Sequence, residues 1–250
     1  MRPWKFVAAA IVLSVSAATA QTPTPETTQD IAEAESQIDA ALDRLEKKGR
    51  LEEALGQYQA VAAGLEGLKT DPQGPAHAER YRVLAYAYLR MGNVLRQLGR
   101  KEDALKAGEK ELFCARSSGE DLTLARAYMN LGTTLLVSGE ADRGLDYIER
   151  SRPLFEAGEG FDFKQGLGWY WILKVELAMA GLTLAEPEDQ LDSLDTALEI
   201  LLPIENWAGI ARAYGLRARV QESQGRDDAA SADRKLQAEY QALDQGNKNE

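Results

Sequence analysis

The chain has 250 residues, with 40 acids against 29 bases and a formal charge of −11, a balance that opposes electrostatic binding to nucleic acid or anionic lipid. Cys114 is the only cysteine, so no intrachain disulfide exists and stability has to come from packing. A lone histidine, His77, leaves zinc-ligand spacings without material.

Residues 1–20 follow the order of a secretory signal peptide: Arg2 and Lys5, an apolar run from Phe6 to Val15, and Ala18-Thr19-Ala20 as a small-residue cleavage site. The apolar run is shorter than the roughly 20 residues of a spanning helix. The mature chain is therefore expected to be exported, periplasmic or extracellular, with no stable membrane insertion after cleavage. Residues 21–29 are polar, carry two prolines and have no apolar period; they read as a disordered lead.

Order is expected from Asp30, which stands three residues before Glu33 as in a capping box, and Ile31, Ala34, Ile38, Ala41, Leu42 and Leu45 then recur at helical spacing. Gly49 closes this helix, and its partner runs from Leu51 to about Leu68. After the turn-rich stretch Thr70 to Pro75, helices are predicted near Arg80 to Leu98, Lys101 to Ser117, Leu122 to Ser138 and Ala141 to Ala157. A glycine loop, Gly158 to Gly160, leads to an aromatic helix around Trp169-Tyr170-Trp171. Its return helix, Leu191 to Leu202, follows a proline-bearing insertion after Gly181. The last pair covers Trp207 to Gln224 and Asp227 to Leu243, which sets the helical repeat domain at 30–243 and a frayed end at 244–250.

A glycine ends the first helix of each pair, followed by an acid-bearing stretch and a small residue: Gly49 to Ala54, Gly99 to Ala104, Gly139 to Gly144 and Gly225 to Ala230. A left-handed glycine stops one helix, and acids just beyond it suit the positive end of the next. With Gly181 included, the intervals are 50, 40, 42 and 44 residues, a period that means stacked helix pairs.

Seven places before those glycines stand Gly92, Gly132, Lys174 and Ala218, and four earlier Tyr88, Tyr128, Tyr170 and Tyr214. The runs YLRMGNVLRQLGRKEDAL and YMNLGTTLLVSGEADRGL resemble the tetratricopeptide (TPR) repeat, in particular its longer-period members such as those of kinesin light chains and bacterial peptide-sensing regulators. The resemblance spans roughly Ile31 to Leu243 and implies an all-α, right-handed superhelical solenoid of about five antiparallel pairs. Lys174, where a small residue is wanted, and the insertion after Gly181 imply a splayed fourth pair. Gly92 with Ala104, and Gly132 with Gly144, are expected to let the helices cross closely.

Catalysis finds little support. His77 reads as an exposed turn residue, and no glycine-rich phosphate loop, calcium loop or zinc motif occurs; no cofactor, metal or catalytic residue is assigned. Asp189, Asp192, Asp195 and Glu199 share most of one helix face and read as solvated. Cys114, in an apolar helical neighbourhood, reads as buried and inert. The TPR resemblance implies instead a groove lined by first helices that holds a protein or peptide partner. Carried over by position, its side chains are Arg90 and Asn93 (with Tyr86, Leu89 and Gln97), Arg126 and Asn130 (with Met129, Thr133 and Val137), Trp171 (with Val175 and Met179), and Arg212 and Arg219 (with Gly215). Asparagine can donate to and accept from a peptide backbone, and the arginines could capture a carboxylate or pair with acids of the groove. Trp171 is either a groove anchor or a core residue. An assembly component that uses its outer face or array ends is the alternative to groove binding, and an enzyme would require a pocket that linear sequence does not reveal. Partner identity and oligomeric state are not fixed by the sequence.

Overall fold

The computed structural model describes residues 25–247. It is all-α: ten helices and one 3₁₀ turn, with no strand among the described residues. The helices are α1 Pro25–Arg44, α2 Leu51–Gly67, α3 Pro75–Gln97, α4 Lys101–Ser118, α5 Asp121–Val137, α6 Ala141–Ala157, α7 Phe161–Met179, α8 Pro187–Leu201, α9 Trp207–Ser223 and α10 Asp227–Asn247. Each helix packs on its successor, and the first helices also touch one another in order, α1 on α3, α3 on α5, α5 on α7 and α7 on α9. Five stacked pairs result, with the first helices forming one continuous face.

Four of the repeating glycines close an α-helix as expected; Gly49 instead closes the 3₁₀ turn Glu46–Lys48, α1 having ended at Arg44. Gly49, Gly99, Gly139, Gly181 and Gly225 all have φ between 70° and 89°, the left-handed region open to glycine. Each glycine N–H and the N–H that follows bond back into the preceding turn, as where Arg100 N donates to the Leu95 carbonyl (2.9 Å) and Glu140 N to that of Leu135 (2.9 Å). These are Schellman closures. Between α8 and α9 the same role falls to Glu205, at φ 54°, and Asn206 then caps α9 by accepting from Gly209 N at 2.8 Å.

Close approach of the helices is settled pair by pair. At the α5–α6 crossing, a Cβ on Gly132 would stand 2.7 Å from the Gly144 carbonyl oxygen, and one on Gly144 would stand 2.8 Å from that of Gly132. Only hydrogen fits there. The expected counterpart, Gly92 with Ala104, differs: Ala104 is fully buried, but a Cβ on Gly92 would meet nothing within 4 Å. The α3–α4 crossing therefore passes Ala104 and leaves room at Gly92. A contact absent from the sequence reading occurs at Gly108, where a Cβ would stand 3.1 Å from Leu131 Cδ1 and α4 lies close on α5.

Several boundaries are corrected. Helix α1 starts at Pro25, so Asp30 and Glu33 lie inside it and form no capping box, and Pro25 to Gln29 are helical. Proline in a first turn forfeits no hydrogen bond. The rest of the lead and residues 1–20 lie outside the described residues. Helix α10 continues to Asn247, past the expected fraying point at Asp244, and Tyr240 fastens it by stacking on Tyr214 and Trp207 (centroids 5.6 and 5.8 Å). In the fourth pair a seven-residue link, Ala180 to Glu186, joins α7 to α8, and Pro187 opens α8 four residues before the expected start. Lys174 is half-buried, its Nζ 5.0 Å from the centre of the Trp171 ring. His77 lies in the first turn of α3, half-buried, with Nδ1 3.0 Å from Thr70 Oγ1; it is not an exposed turn residue.

Candidate functional site

A cavity of about 420 Å³ opens on the first-helix face. Its walls come from α1 (Glu35, Asp39), α3 (Arg82, Ala85, Tyr86, Leu89, Arg90) and α5 (Thr123, Arg126), with Gln165 of α7 at one edge and Glu111 reaching it from the second helix α4. The i, i+4 spacing of Arg82, Tyr86 and Arg90 puts all three on one side of α3, facing α1. Arg82 donates to Glu35 at 2.6 Å, the Tyr86 hydroxyl donates to Asp39 at 2.9 Å, and Arg90 pairs with Glu46.

These contacts are not equivalent energetically. Arg82 also grips Glu79 at 2.7 Å, and the two carboxylates raise its pKa well above the ordinary guanidinium value. Burial works against the Arg90 cation, but hydrogen bonding to Glu46 and Tyr58 more than compensates and raises its pKa. Glu46 is only 7% exposed and also accepts from the Tyr58 hydroxyl at 2.7 Å. This pair is desolvated, so removing either partner would strand a charge.

Glu111 is 2% exposed, an isolated carboxyl within the apolar stripe of α4. The Asn130 amide donates to both of its oxygens, at 3.2 and 3.4 Å. Burial pushes the carboxyl up to about 8, with the Asn130 hydrogen bond and the Arg96 charge opposing the shift. Arg96 acts from a distance: its N–H groups go to Thr134 Oγ1 (2.8 Å) and Asn93 Oδ1. Burial lowers the Arg96 pKa, and the Glu111 charge counters that.

The structure divides the residues carried over from the TPR resemblance. Arg90 and Arg126 line the cavity, but both are engaged, Arg90 with Glu46 and Arg126 with Asp162 of α7 at 2.6 Å. Asn93 and Asn130 hold Arg96 and Glu111 beneath it, so their side chains are committed to internal bonds. Arg212 bridges α9 to Glu176 of α7 at 2.6 Å, and Arg219 is exposed on the same face of α9. Neither reaches the cavity. Trp171 is half-buried between two core clusters, edge-on to Tyr170 with centroids 5.4 Å apart, and Arg152 of α6 lies 5.3 Å over its ring. Val175 is 1% exposed and a Cβ on Gly215 would strike Gln237 of α10, so neither is a groove position. The register slips here because α7 is apolar nearly all round and packs on both sides.

Sequence reasoning passed over Glu111. The signal was present: Ala104, Ala107, Gly108, Glu111, Cys114 and Ala115 repeat at helical spacing, and Glu111 is the one acid on that stripe. Cys114 is 4% exposed, and burial pushes its thiol up to about 12, as fits an inert core residue. The acids Asp189, Asp192, Asp195 and Glu199 are all exposed. No group of metal-binding side chains occurs among the described residues, and no helix among them is long and apolar enough to cross a membrane.

No family model matches the chain, and no curated protein matches it. Its fold nonetheless has solved relatives in shape. The structure of BtubC (BKLC) from P. vanneervenii aligns over 88% of this chain and 92% of its own, with 16% identity and a TM-score of 0.59. The nearly identical TPR-like repeats of a putative kinesin light chain from Podosopora anserina align over 86% of this chain and 97% of their own, with 14% identity and a TM-score of 0.55. At such identities the likeness concerns the fold, and the fold is that of a TPR-like helical-repeat solenoid.

Proposed function

We propose that the protein is an exported, non-enzymatic interaction module that binds a peptide or protein segment along the groove of its first-helix face. The observation that carries this reading is the cavity itself: about 420 Å³, open on that face, and lined by three consecutive first helices with mixed apolar and polar walls. Stacked repeats are suited to extended ligands, since successive units present equivalent positions along one surface. The N-terminal signal-like segment supports export. The step from fold to binding is by analogy, and a direct experiment tests it. Mature protein is used as bait on envelope and secreted fractions beside a variant carrying Leu89→Trp with Arg126→Ala, which obstructs the cavity and removes one rim charge. Partners captured by the parent and lost from the variant are the expected result. Equal capture by both would refute the groove assignment.

A second reading, an assembly component that uses another surface, is favoured by one observation. Phe113 on the second helix α4 is 61% exposed, with its ring edge-on to Tyr81 at 6.0 Å, so a large apolar side chain is open to contact on the second-helix face. Loss of capture by Phe113→Ser, with the cavity variant unaffected, would establish that reading in place of the first.

A further inference from the structure

The charges around the cavity do not favour an acidic ligand, despite its three arginines. Arg82 is taken by Glu35 and Glu79, Arg90 by Glu46, and Arg126 by Asp162. Among the described residues, the lining carboxylates without a cation at hydrogen-bond distance are Glu111, held by the Asn130 amide, and Asp39, held by the Tyr86 hydroxyl. Arg96 answers Glu111 only through space, its own donors being spent on Thr134 and Asn93. A carboxylate entering this space would meet the Asp39 carboxylate, and each lining guanidinium is already paired with an acid.

The remaining walls suit the opposite kind of group. Ala85 and Leu89 present an apolar strip, and Tyr86 adds an aromatic ring; such surfaces accept a methylene stem, and an aromatic face attracts a cation. Resting on the groove reading, we propose that the cavity takes a cationic side chain, lysine or arginine, of the bound segment, with its stem along Leu89 and its charged head facing Glu111 and Asp39. Glu111 then has a role that a purely structural account leaves open. Kept in the lining of an open cavity with only an amide for a partner, this carboxyl is driven by burial to hold a proton, and an incoming cation lets it give that proton up and pair as a carboxylate. The positions of Asn93 and Asn130 follow: Asn130 holds Glu111 in place, Asn93 holds Arg96 beneath the cavity, and neither amide is free to grip the ligand backbone.

The test selects random short peptides on immobilised mature protein and measures affinities for the recovered sequences. Lysine or arginine should be enriched at one position. Glu111→Gln should weaken a recovered peptide about tenfold or more and Asp39→Asn a few-fold, while Glu199→Gln, on the exposed face of α8, should leave it unchanged. Replacing the enriched lysine by norleucine should cost the parent as much as Glu111→Gln does and cost that variant little more, a coupling that general damage to the fold would not produce. Should Glu111→Gln fail to fold, the same cycle run on Asp39→Asn decides. Recovery of acidic peptides, or a lysine preference that survives both variants, would overturn the inference while leaving groove binding intact. Tighter binding of a free alkyl diamine than of any peptide would place the same cationic chemistry in a small ligand and overturn it too. If no peptide is recovered, the groove reading and this inference fall together.

Discussion

Gly92 and Gly132 occupy the same place in successive repeats, seven residues before the turn glycine, yet alanine should act on them with opposite sign. At Gly132 the added Cβ would stand 2.7 Å from the Gly144 carbonyl oxygen and 2.7 Å from Ile148 Cγ1. Ordinary contact begins near 3.4 Å, so α5 and α6 would have to part by several tenths of an ångström, and a backbone atom cannot turn aside. Overpacking of this kind costs about 1–3 kcal/mol, from which a helix-propensity gain of about 1 kcal/mol is subtracted. At Gly92 no atom lies within 4 Å of the new methyl, so the propensity gain stands alone and Gly92→Ala should stabilise by about 0.5–1 kcal/mol. Urea unfolding followed by circular dichroism measures both, and in a chain of this size 1 kcal/mol corresponds to about 2–4 °C in Tm. Shifts of the same sign for the two variants would refute the assignment of close approach to α5–α6 and of free space to α3–α4.

Three further outcomes follow from the contacts described. Glu111 titrates near 4.5 when free and near 8 when buried, so between those values the unfolded chain is ionised while the folded one holds a proton. Folded stability should therefore fall as pH rises through that interval, by on the order of a few kcal/mol, and level off above it. Parent and Glu111→Gln share the other charged groups facing this carboxyl, Arg82, Arg90 and Arg96 of α3, Arg126 of α5, and Glu35 and Asp39 of α1, so the stability difference between the two chains isolates the effect; a difference independent of pH would refute it. Arg217 clasps Asp233 with two hydrogen bonds (2.8 and 2.7 Å), and Asp233 is 5% exposed. Arg217→Met should cost about 3–5 kcal/mol by stranding that carboxylate, whereas Asp195→Asn, at the exposed end of the same cluster, should cost under about 1 kcal/mol. Asn206→Ala removes the cap of α9 and should cost about 1 kcal/mol by the same unfolding assay; an unchanged midpoint would mean that the cap bond is not held in solution.

The periodic glycines were legible because their effect is local: a residue at φ near 70° stops a helical turn whatever surrounds it, and four of the five close an α-helix while Gly49 closes the 3₁₀ turn after α1. The apolar spacing of Val83, Ala87, Val94 and Leu95 on α3, all buried, likewise marks the core face without reference to any other helix. Local signals therefore determined the all-α class, the number of pairs and most of the turns. They misjudged α1, where helix formation begins at Pro25, because a capping-box spacing is short enough to recur within a helix interior. They also slipped register in α7, whose apolar surface gives no single direction by which to orient Trp171 and Val175.

The site was decided by tertiary structure. Arg90, Arg126 and Arg212 are visible in the sequence as cations, but Glu46, Asp162 and Glu176 stand 44, 36 and 36 residues away from them, and no linear pattern states that those charges meet. The same holds for Glu111, which becomes part of the cavity because Gly108 lets α4 lie close on α5 and Asn130 reaches it from there. Helix and turn follow from forces acting over a few residues, whereas the electrostatic character of a groove depends on which side chains from separate helices share a desolvated volume.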